Sequence, residues 1–311
     1  AAGQIFFTLS VGMGSIQCYA SYLKENEDIA LNSVTAGFTN EFVEVILGSA
    51  IVIPIAAGFL GLDWVLENAG FGMAFQTMPY LFQQWGPLIS AFAGVCWFGL
   101  LFFAGITSSL AMGTPWMGFM QDEFGWGKVK GAVSFGLVSL AMGLPTVLFY
   151  QYGYFDEYDY WGGTVSLVIF ALLETILFTY IFGMKKGWEE ITRGADIRIP
   201  SFYKWIMTYV TPVLLSIVFL GALITPAGND WVAAFSNLFS GGGWPLDTSS
   251  LIAKITFADL EAQIIANPEN AAALEVKMMY SGWARLQLLL LFLGICAIVW
   301  YSTVKRKKAI Q

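Results

Sequence analysis

Six stretches of this chain, Ala1–Leu23, Val45–Leu62, Gly86–Met120, Gly131–Phe155, Trp205–Asn229 and Leu286–Val304, carry no charged residue, and a seventh, Tyr160–Met184, is interrupted only by Glu174. A helix needs about 20 apolar residues to cross a bilayer. Lipid offers backbone N–H and C=O groups no partner, so a spanning segment must be a helix or part of a closed barrel. The alternating pattern of a barrel strand is absent. The expectation is an all-α integral membrane protein with seven helical spans. The composition agrees, since a chain that is 57% hydrophobic, 16% aromatic and only 12% charged is too apolar for a soluble domain.

Basic residues orient the spans. When the loops are numbered alternately from the one after Leu23, one side holds Lys24, Lys128, Lys130, Lys185, Lys186, Arg193, Arg198, Lys204, Lys305, Arg306, Lys307 and Lys308, twelve of the fifteen Lys and Arg. The other three, Lys254, Lys277 and Arg285, lie in or just beyond one long loop. The positive-inside rule places Lys24 and the C-terminal tail in the cytoplasm, the pattern of a multi-pass protein of the plasma (inner) membrane. The opposite face is acidic at Asp156, Glu157 and Asp159, and a formal charge of −7 could enrich cations there or merely keep the surface soluble.

Several functional classes fall away. There is no histidine, which excludes histidine metal sites and proton relays. Cys18, Cys96 and Cys296 lie within apolar spans and read as small buried hydrophobes, without a disulfide framework. No nucleophile–base pair, metal cluster or nucleotide loop suggests an enzyme, and nothing points to nucleic acid. The sequence starts at Ala1, inside a span, without initiator Met, signal peptide or basic leader, so it is expected to be part of a longer polypeptide or one processed at an unusual place.

Three polar patches interrupt the apolar spans. The first span carries Thr8, Ser10, Gly12 and Gly14 near its middle. Glycine permits conformations that would break a helix there, and a broken helix frees carbonyls to bind ions at the membrane midplane. Small residues also let two helices approach closely. In the second span, Asn40 and Glu44 are four apart and share a face. An intramembrane carboxylate is a functional-site candidate by default, although a protonated, hydrogen-bonded structural Glu is the plainer alternative. Glu41 is one position round the helix from Asn40. The third helix, Pro87–Glu123, would be about 55 Å long at 1.5 Å per residue. Its Ala104, Thr107, Ser108, Ala111 and Met112 form one stripe. Hydroxyls beside an available carbonyl suit a hard monovalent cation such as Na⁺, yet Ser and Thr in membrane helices commonly bond back to their own chain.

The stretches GQIFFTLSVGMGSIQCYASY, TNEFVEVILG, LFFAGITSSLAM and DEYDYWGGT, with KKGWEEITRG, together resemble the sixth, seventh, eighth and tenth helices of neurotransmitter:sodium symporters. The prokaryotic amino-acid, leucine-transporter-like members are the most similar. The resemblance is close over Ala1–Thr225, positional for the last helix and absent for Pro226–Tyr280. It implies a C-terminal portion, helices six to twelve, of an inverted-repeat bundle. Residues 1–225 would be the core helices, 226–280 an extracellular loop with amphipathic helices at TFADLEAQIIAN and PENAAALEVKMM, and 281–311 the last span and a basic tail.

The resemblance also implies roles. Thr8 and Asn40 match side-chain ligands of one sodium. The Ala104 carbonyl, Thr107 and Ser108 match a second. Phe7 matches the aromatic lid over the substrate, and Phe7, Thr8, Ser10, Met13, Ser108 and Met112 would bind it. Asp159 matches the extracellular gate acid, and Asp122 with Tyr22 the cytoplasmic gate, each closing on an arginine of the N-terminal part. Gln4, Asn40 and Glu44 surround the place where chloride-dependent relatives hold Cl⁻, and Glu44 already supplies a negative charge. Transport without chloride is therefore expected, with Glu44 as a proton carrier on the return step. The adaptable Met13 and Met112, with no charged side chain beside them, favour a neutral apolar or aromatic amino acid.

The implied function is sodium-coupled symport of such an amino acid by alternating access, completed by N-terminal helices that are not in this sequence. A proton-coupled or uncoupled exchanger of the same fold and a non-transporting membrane scaffold are the alternatives. A homodimer is left open.

Overall fold

A computed structural model describes residues 2–67 and 72–310; Phe71, one of the aromatic residues of the segment after the second span, lies outside them, as does the side chain of Lys308. Among the described residues the regular structure is helical: α1 (Ala2–Thr8), α2 (Ser15–Ala20), α3 (Ile29–Leu60), α4 (Leu62–Glu67), α5 (Met78–Gln83), α6 (Pro87–Phe124), α7 (Lys128–Leu148), α8 (Tyr154–Thr192), α9 (Phe202–Leu223), α10 (Trp231–Phe239), α11 (Leu251–Ile255), α12 (Ala258–Ala266) and α13 (Ala271–Ile310). Six of these, α3, α6, α7, α8, α9 and α13, are long and apolar enough to cross a membrane. The seventh expected span is the pair α1 and α2, which the chain breaks between Thr8 and Ser15. The protein is an all-α, multi-pass membrane protein.

The spans α3, α6, α8 and α13 outlast their apolar windows, because a helix needs hydrocarbon only over its middle. α8 runs on through Lys185, Lys186, Glu189 and Glu190 to Thr192. The last helix departs most from the sequence expectation. PENAAALEVKMM is not a separate surface helix, because its residues from Ala271 on are the first turns of the 40-residue α13. Glu275 and Lys277 are tolerated there because this end lies beyond the apolar stretch that begins at Leu286.

The chain divides into two compact units. The first comprises residues 1–16, 116–190 and 199–311. Within it, α1 packs on the middle of α8 and α8 on α9. Tyr154 Oη donates to Gln287 Oε1 at 2.6 Å, and Gln287 Nε2 donates to the Ala141 carbonyl at 3.0 Å, so α13 is tied to both α7 and α8. A second tie is ionic. Arg285 on α13 grips Glu157 on α8 with both prongs, Nε to Oε2 at 2.7 Å and Nη2 to Oε1 at 3.1 Å. The Arg285 guanidinium lies 3.9 Å from the ring centre of Phe257, and its Nη1 donates to the Lys254 carbonyl. The pair is largely buried, with 18% and 15% of its side-chain surfaces exposed. At the far end of α13, Arg306 pairs with Glu123, and the Tyr301 ring stacks on Phe124 with 6.3 Å between centroids.

The second unit comprises residues 17–115 and 191–198. Its core is Met78, Leu81 and Phe82 of α5, packed by Val52, Ala93 and Trp97. The aromatic segment after α3 contains the short helices α4 and α5, with Trp64 Nε1 donating to Thr77 Oγ1 and Trp97 Nε1 to the Ala74 carbonyl. Asp28 caps α3, its Oδ1 accepting from Leu31 N at 2.8 Å, and its Oδ2 accepts from Asp196 N at 2.7 Å. Elsewhere the surface is strongly apolar: Leu88, Phe92 and Val95 of α6 are 85%, 71% and 74% exposed. Such a face is stable only against hydrocarbon or further apolar helices.

Two predictions follow from these joints. Arg285→Met leaves Glu157 buried without its cation and costs roughly 3 kcal/mol of stability. The double variant Glu157→Gln/Arg285→Met recovers most of that loss, as read by unfolding in detergent. The backbone N–H of Leu31, and then that of Asp196, hold the Asp28 carboxyl below its ordinary value of 3.8. A depressed carboxylate stabilises the fold above its unfolded pKa and loses that contribution as pH falls through the folded one. The stability gap between the native chain and Asp28→Asn is therefore constant near neutral pH and closes below about pH 4.

Candidate ion and substrate site

The break in the first span answers to backbone sterics. The N–H groups of Leu9, Ser10 and Val11 return to the carbonyls of Ile5, Phe7 and Phe6, closing α1. Then Ser10, Gly12 and Gly14 take φ of 55°, 79° and 76°. Glycine accepts this left-handed region freely, whereas a residue with a Cβ is strained there, so Ser10 carries a cost. The middle glycine has a second reason: a Cβ on Gly12 would lie 2.9 Å from the Leu167 carbonyl oxygen and 3.2 Å from Ala171 N, both backbone atoms of α8. The opened segment therefore rests directly on the α8 backbone. There Gly12 N donates to Glu174 Oε2 at 3.2 Å. A carboxylate inside a span thus satisfies an amide that the broken helix cannot. Ser15, at the start of α2, is 2% exposed, and its hydroxyl has no hydrogen-bond partner among the described residues.

Glu174 is the partner of the break that the sequence patches left out. Its signal was present, as the one charge interrupting Tyr160–Met184. What the sequence could not give is its target, 162 residues away.

The expected site residues divide between the two units. In the first, Gln4, Phe7 and Thr8 lie on α1, Ser10 and Met13 in the break, Asp122 at the end of α6 and Asp159 in the wide turn on α8 that spans Asp159–Val165. In the second, Tyr22 follows α2, Asn40 and Glu44 lie on α3, and Ala104, Thr107, Ser108 and Met112 lie on α6. Asn40 Nδ2 donates to Glu44 Oε2 at 3.5 Å, which joins those two as their spacing implies. Thr107 Oγ1 donates to the Phe103 carbonyl at 2.9 Å and to that of Ala104 at 3.1 Å. The Thr107 hydroxyl thus bonds back to its own helix, the plainer alternative for such residues. That bond uses its proton and leaves its lone pairs, so the Thr107 oxygen and the Ala104 carbonyl form an adjacent oxygen pair.

The chemistry of these donors is specific. Hydroxyl, carboxamide and carbonyl oxygens are hard, mostly uncharged ligands. Among the described residues no group of three or more His, Cys, Asp or Glu side chains could hold a metal ion. Oxygens of this kind suit a hard monovalent cation and disfavour transition metals.

Residues 1–261 match the family described as "Sodium:neurotransmitter symporter family", a match that runs past Thr225 into the loop where the motif resemblance stops. An uncharacterized sodium-dependent transporter of Methanocaldococcus jannaschii is 29% identical over 71% of this chain and 46% of its own length. The sodium-dependent nutrient amino acid transporter 1 of Drosophila melanogaster is 26% identical over 72% of this chain and 36% of its own. An uncharacterized sodium-dependent transporter of Haemophilus influenzae is 25% identical over 71% and 49%. The chain spans about half, or less, of the length of these relatives.

Gly12→Ala meets both the left-handed conformation, at about 1–2 kcal/mol, and the α8 backbone. Amide hydrogen exchange across residues 11–14 is expected to rise about tenfold or more. Gly105→Ala, which meets open space on a regular helix, leaves that exchange unchanged.

Proposed function

We propose that this chain, which belongs to the sodium:neurotransmitter symporter family, is the C-terminal portion of a sodium-coupled symporter for neutral apolar or aromatic amino acids. The family is one of transporters and not of enzymes. The observation that carries the finer reading is the broken first span, whose opened backbone at residues 9–14 lies on α8 with Gly12 N bonded to Glu174.

In this reading the two halves of the broken span form a hinge. Thr8 and Asn40 contribute oxygens to one co-transported sodium, and the Ala104 carbonyl, Thr107 and Ser108 to another. Phe7 closes over the substrate. Ser10, Met13, Ser108 and Met112 surround its side chain, and the two methionines adapt to large apolar groups. Substrate and ion bind one arrangement of the helices more tightly than the other. That difference shifts an outward-open to inward-open equilibrium. Asp159 serves the outer gate, Asp122 and Tyr22 the inner one. The C-terminus is cytoplasmic and the membrane is the plasma (inner) membrane, as the twelve one-sided Lys and Arg imply. Glu44, within the Gln4–Asn40–Glu44 group, supplies the charge that chloride would otherwise bring, and carries a proton on the return step.

The test uses the full-length protein in proteoliposomes. Replacing Na⁺ by K⁺ abolishes binding of labelled leucine, and replacing chloride by gluconate leaves it intact. Thr107→Ala with Ser108→Ala costs at least about tenfold in sodium affinity, the effect of roughly 1.4 kcal/mol. Binding that survives in K⁺ removes the sodium-coupled reading in favour of the proton-coupled or uncoupled one. Chloride dependence removes the assignment of Glu44. Selective uptake of glycine or a charged amino acid removes the apolar pocket.

A further inference from the structure

Between the end of α9 at Leu223 and the start of α11 the chain forms a small aromatic knot whose outer face remains uncovered. From Trp231 to Leu246 there is no charged residue, and Asp230 and Asp247 stand at the two ends. Asp230 caps α10, its Oδ1 accepting from Ala233 N at 2.9 Å. Asp247 holds the base of the loop, accepting from Gly228 N, Ser249 N and Ser249 Oγ. The loop is stitched to the end of the α9 span. Ala227 N donates to the Pro245 carbonyl at 2.8 Å, Asp247 N to that of Thr225 at 2.9 Å, and Trp244 Nε1 to that of Ile224 at 2.8 Å.

Those bonds fix the depth of α10. The Trp231 ring packs on the last turns of α9, 3.8 Å from where a Cβ of Gly221 would stand. Trp244 lies between Trp231 and Phe235, with centroid separations of 6.0 and 5.2 Å. Two tryptophans therefore sit at the level where a 22-residue membrane-spanning helix ends. That is the headgroup level, which amphipathic aromatic rings favour.

At this level α10 presents an apolar stripe outward. Ala234 is fully buried, while Val232 and Phe239 are 83% and 85% exposed, Phe235 47% and Leu238 45%. Val232, Phe235 and Phe239 follow i, i+3, i+7 spacing and share one side of the helix. Ala233 and Asn237 lie on another. On α9 itself, which is long and apolar enough to cross a membrane, Ile217 and Leu220 are 62% and 55% exposed.

We infer that α10 is an interfacial helix that lies in the leaflet at the Leu223 end of α9, with Val232, Phe235 and Phe239 immersed among the lipid headgroups and upper acyl chains. The occupant of the stripe is the bilayer itself. Water would leave the nearly bare Val232 and Phe239 side chains solvated at the end of an apolar span. The absence of charge lets the helix lie flat, and Asp230 and Asp247 keep its ends at the aqueous boundary. Amphipathic helices of this kind bury their apolar face roughly 5–10 Å into the headgroup and acyl boundary. The loop is thus a membrane anchor for the outer end of α9, rather than a freely solvated lid.

The test is site-directed spin labelling in liposomes, with single cysteines at 232, 239 and 233 on a background in which Cys18, Cys96 and Cys296 are replaced. The labels at 232 and 239 are expected to collide readily with oxygen, and at least about threefold less with a water-soluble nickel chelate than the label at 233. Equal access of the chelate at all three positions overturns the proposal in favour of a solvated helix. Low access of both reagents at 232 and 239 overturns it in favour of cover by protein, such as a second copy of the chain. Hydroxyl-radical footprinting of the unmodified protein avoids the cysteine replacements. Phe239 is expected to be protected in lipid nanodiscs and oxidised once the bilayer is exchanged for a short-chain detergent. Equal oxidation in both overturns the inference. None of these readouts depends on transport.

Discussion

In hydrocarbon a peptide group without a hydrogen bond costs several kcal/mol, and this one constraint accounts for most of what the chain does. It makes the spans helices, and it makes any interruption of a helix costly unless something nearby replaces the lost bonds. The first span is interrupted all the same. Ser10 and two glycines take left-handed conformations between α1 and α2, and Gly12 N turns to the carboxylate of Glu174. Glu174 thus offsets the cost of opening the helix. The glycine at the same point lets the two backbones approach more closely than a side chain would permit. Break, carboxylate and close contact form one device.

A second pairing plays the corresponding part at the edge of the membrane. Glu157 and Arg285 join α8 to α13, while Arg285 also holds the Lys254 carbonyl and the Phe257 ring. Phe257 has a left-handed φ of 62°, an arrangement a bulky residue adopts only when its surroundings enforce it. The ion pair lies two residues from Asp159, the acid assigned to the outer gate. If Asp159 gates as proposed, it would have to move against something fixed, and the Glu157–Arg285 clasp would supply a fixed point on the same helix.

Much of this was legible from residue patterns, and the rest was hidden for physical reasons. Charge-free windows located five of the six continuous spans, and a window with the single charge Glu174 the sixth, because the penalty for a charge in lipid is written directly into composition. The break in the first span was legible because glycines and hydroxyls are conspicuous in an apolar run. Asn40 and Glu44 were legible because helical spacing is local. The extent of α13 was not, since beyond the lipid a helix can carry Glu275 and Lys277 as readily as a loop can. The partners Gly12–Glu174 and Glu157–Arg285 were not either, because their separations of 162 and 128 residues are set by packing and not by sequence. The uncovered stripe on α10 belongs to the same class. Its apolar residues are evident in the sequence, but only the bonds from Trp244 and the packing of Trp231 set its depth.

The donors at the candidate site explain why a membrane protein would use hydroxyls and amides where a soluble metal site uses carboxylates. A carboxylate cage for one small cation would leave net negative charge in hydrocarbon whenever the ion departs, and an ion that must leave on every cycle makes that state recurrent. In the sodium sites proposed above, neutral oxygens such as those of Thr107, Ala104, Thr8 and Asn40 would have little to lose when the ion goes. A helix already brings such oxygens together: the Thr107 hydroxyl is bonded to the carbonyls of Phe103 and Ala104. The backbone bonding that makes these residues look merely structural is also what holds them in place. For a site that must fill and empty, preorganised neutral ligands are the arrangement that leaves both states tolerable in a low-dielectric medium.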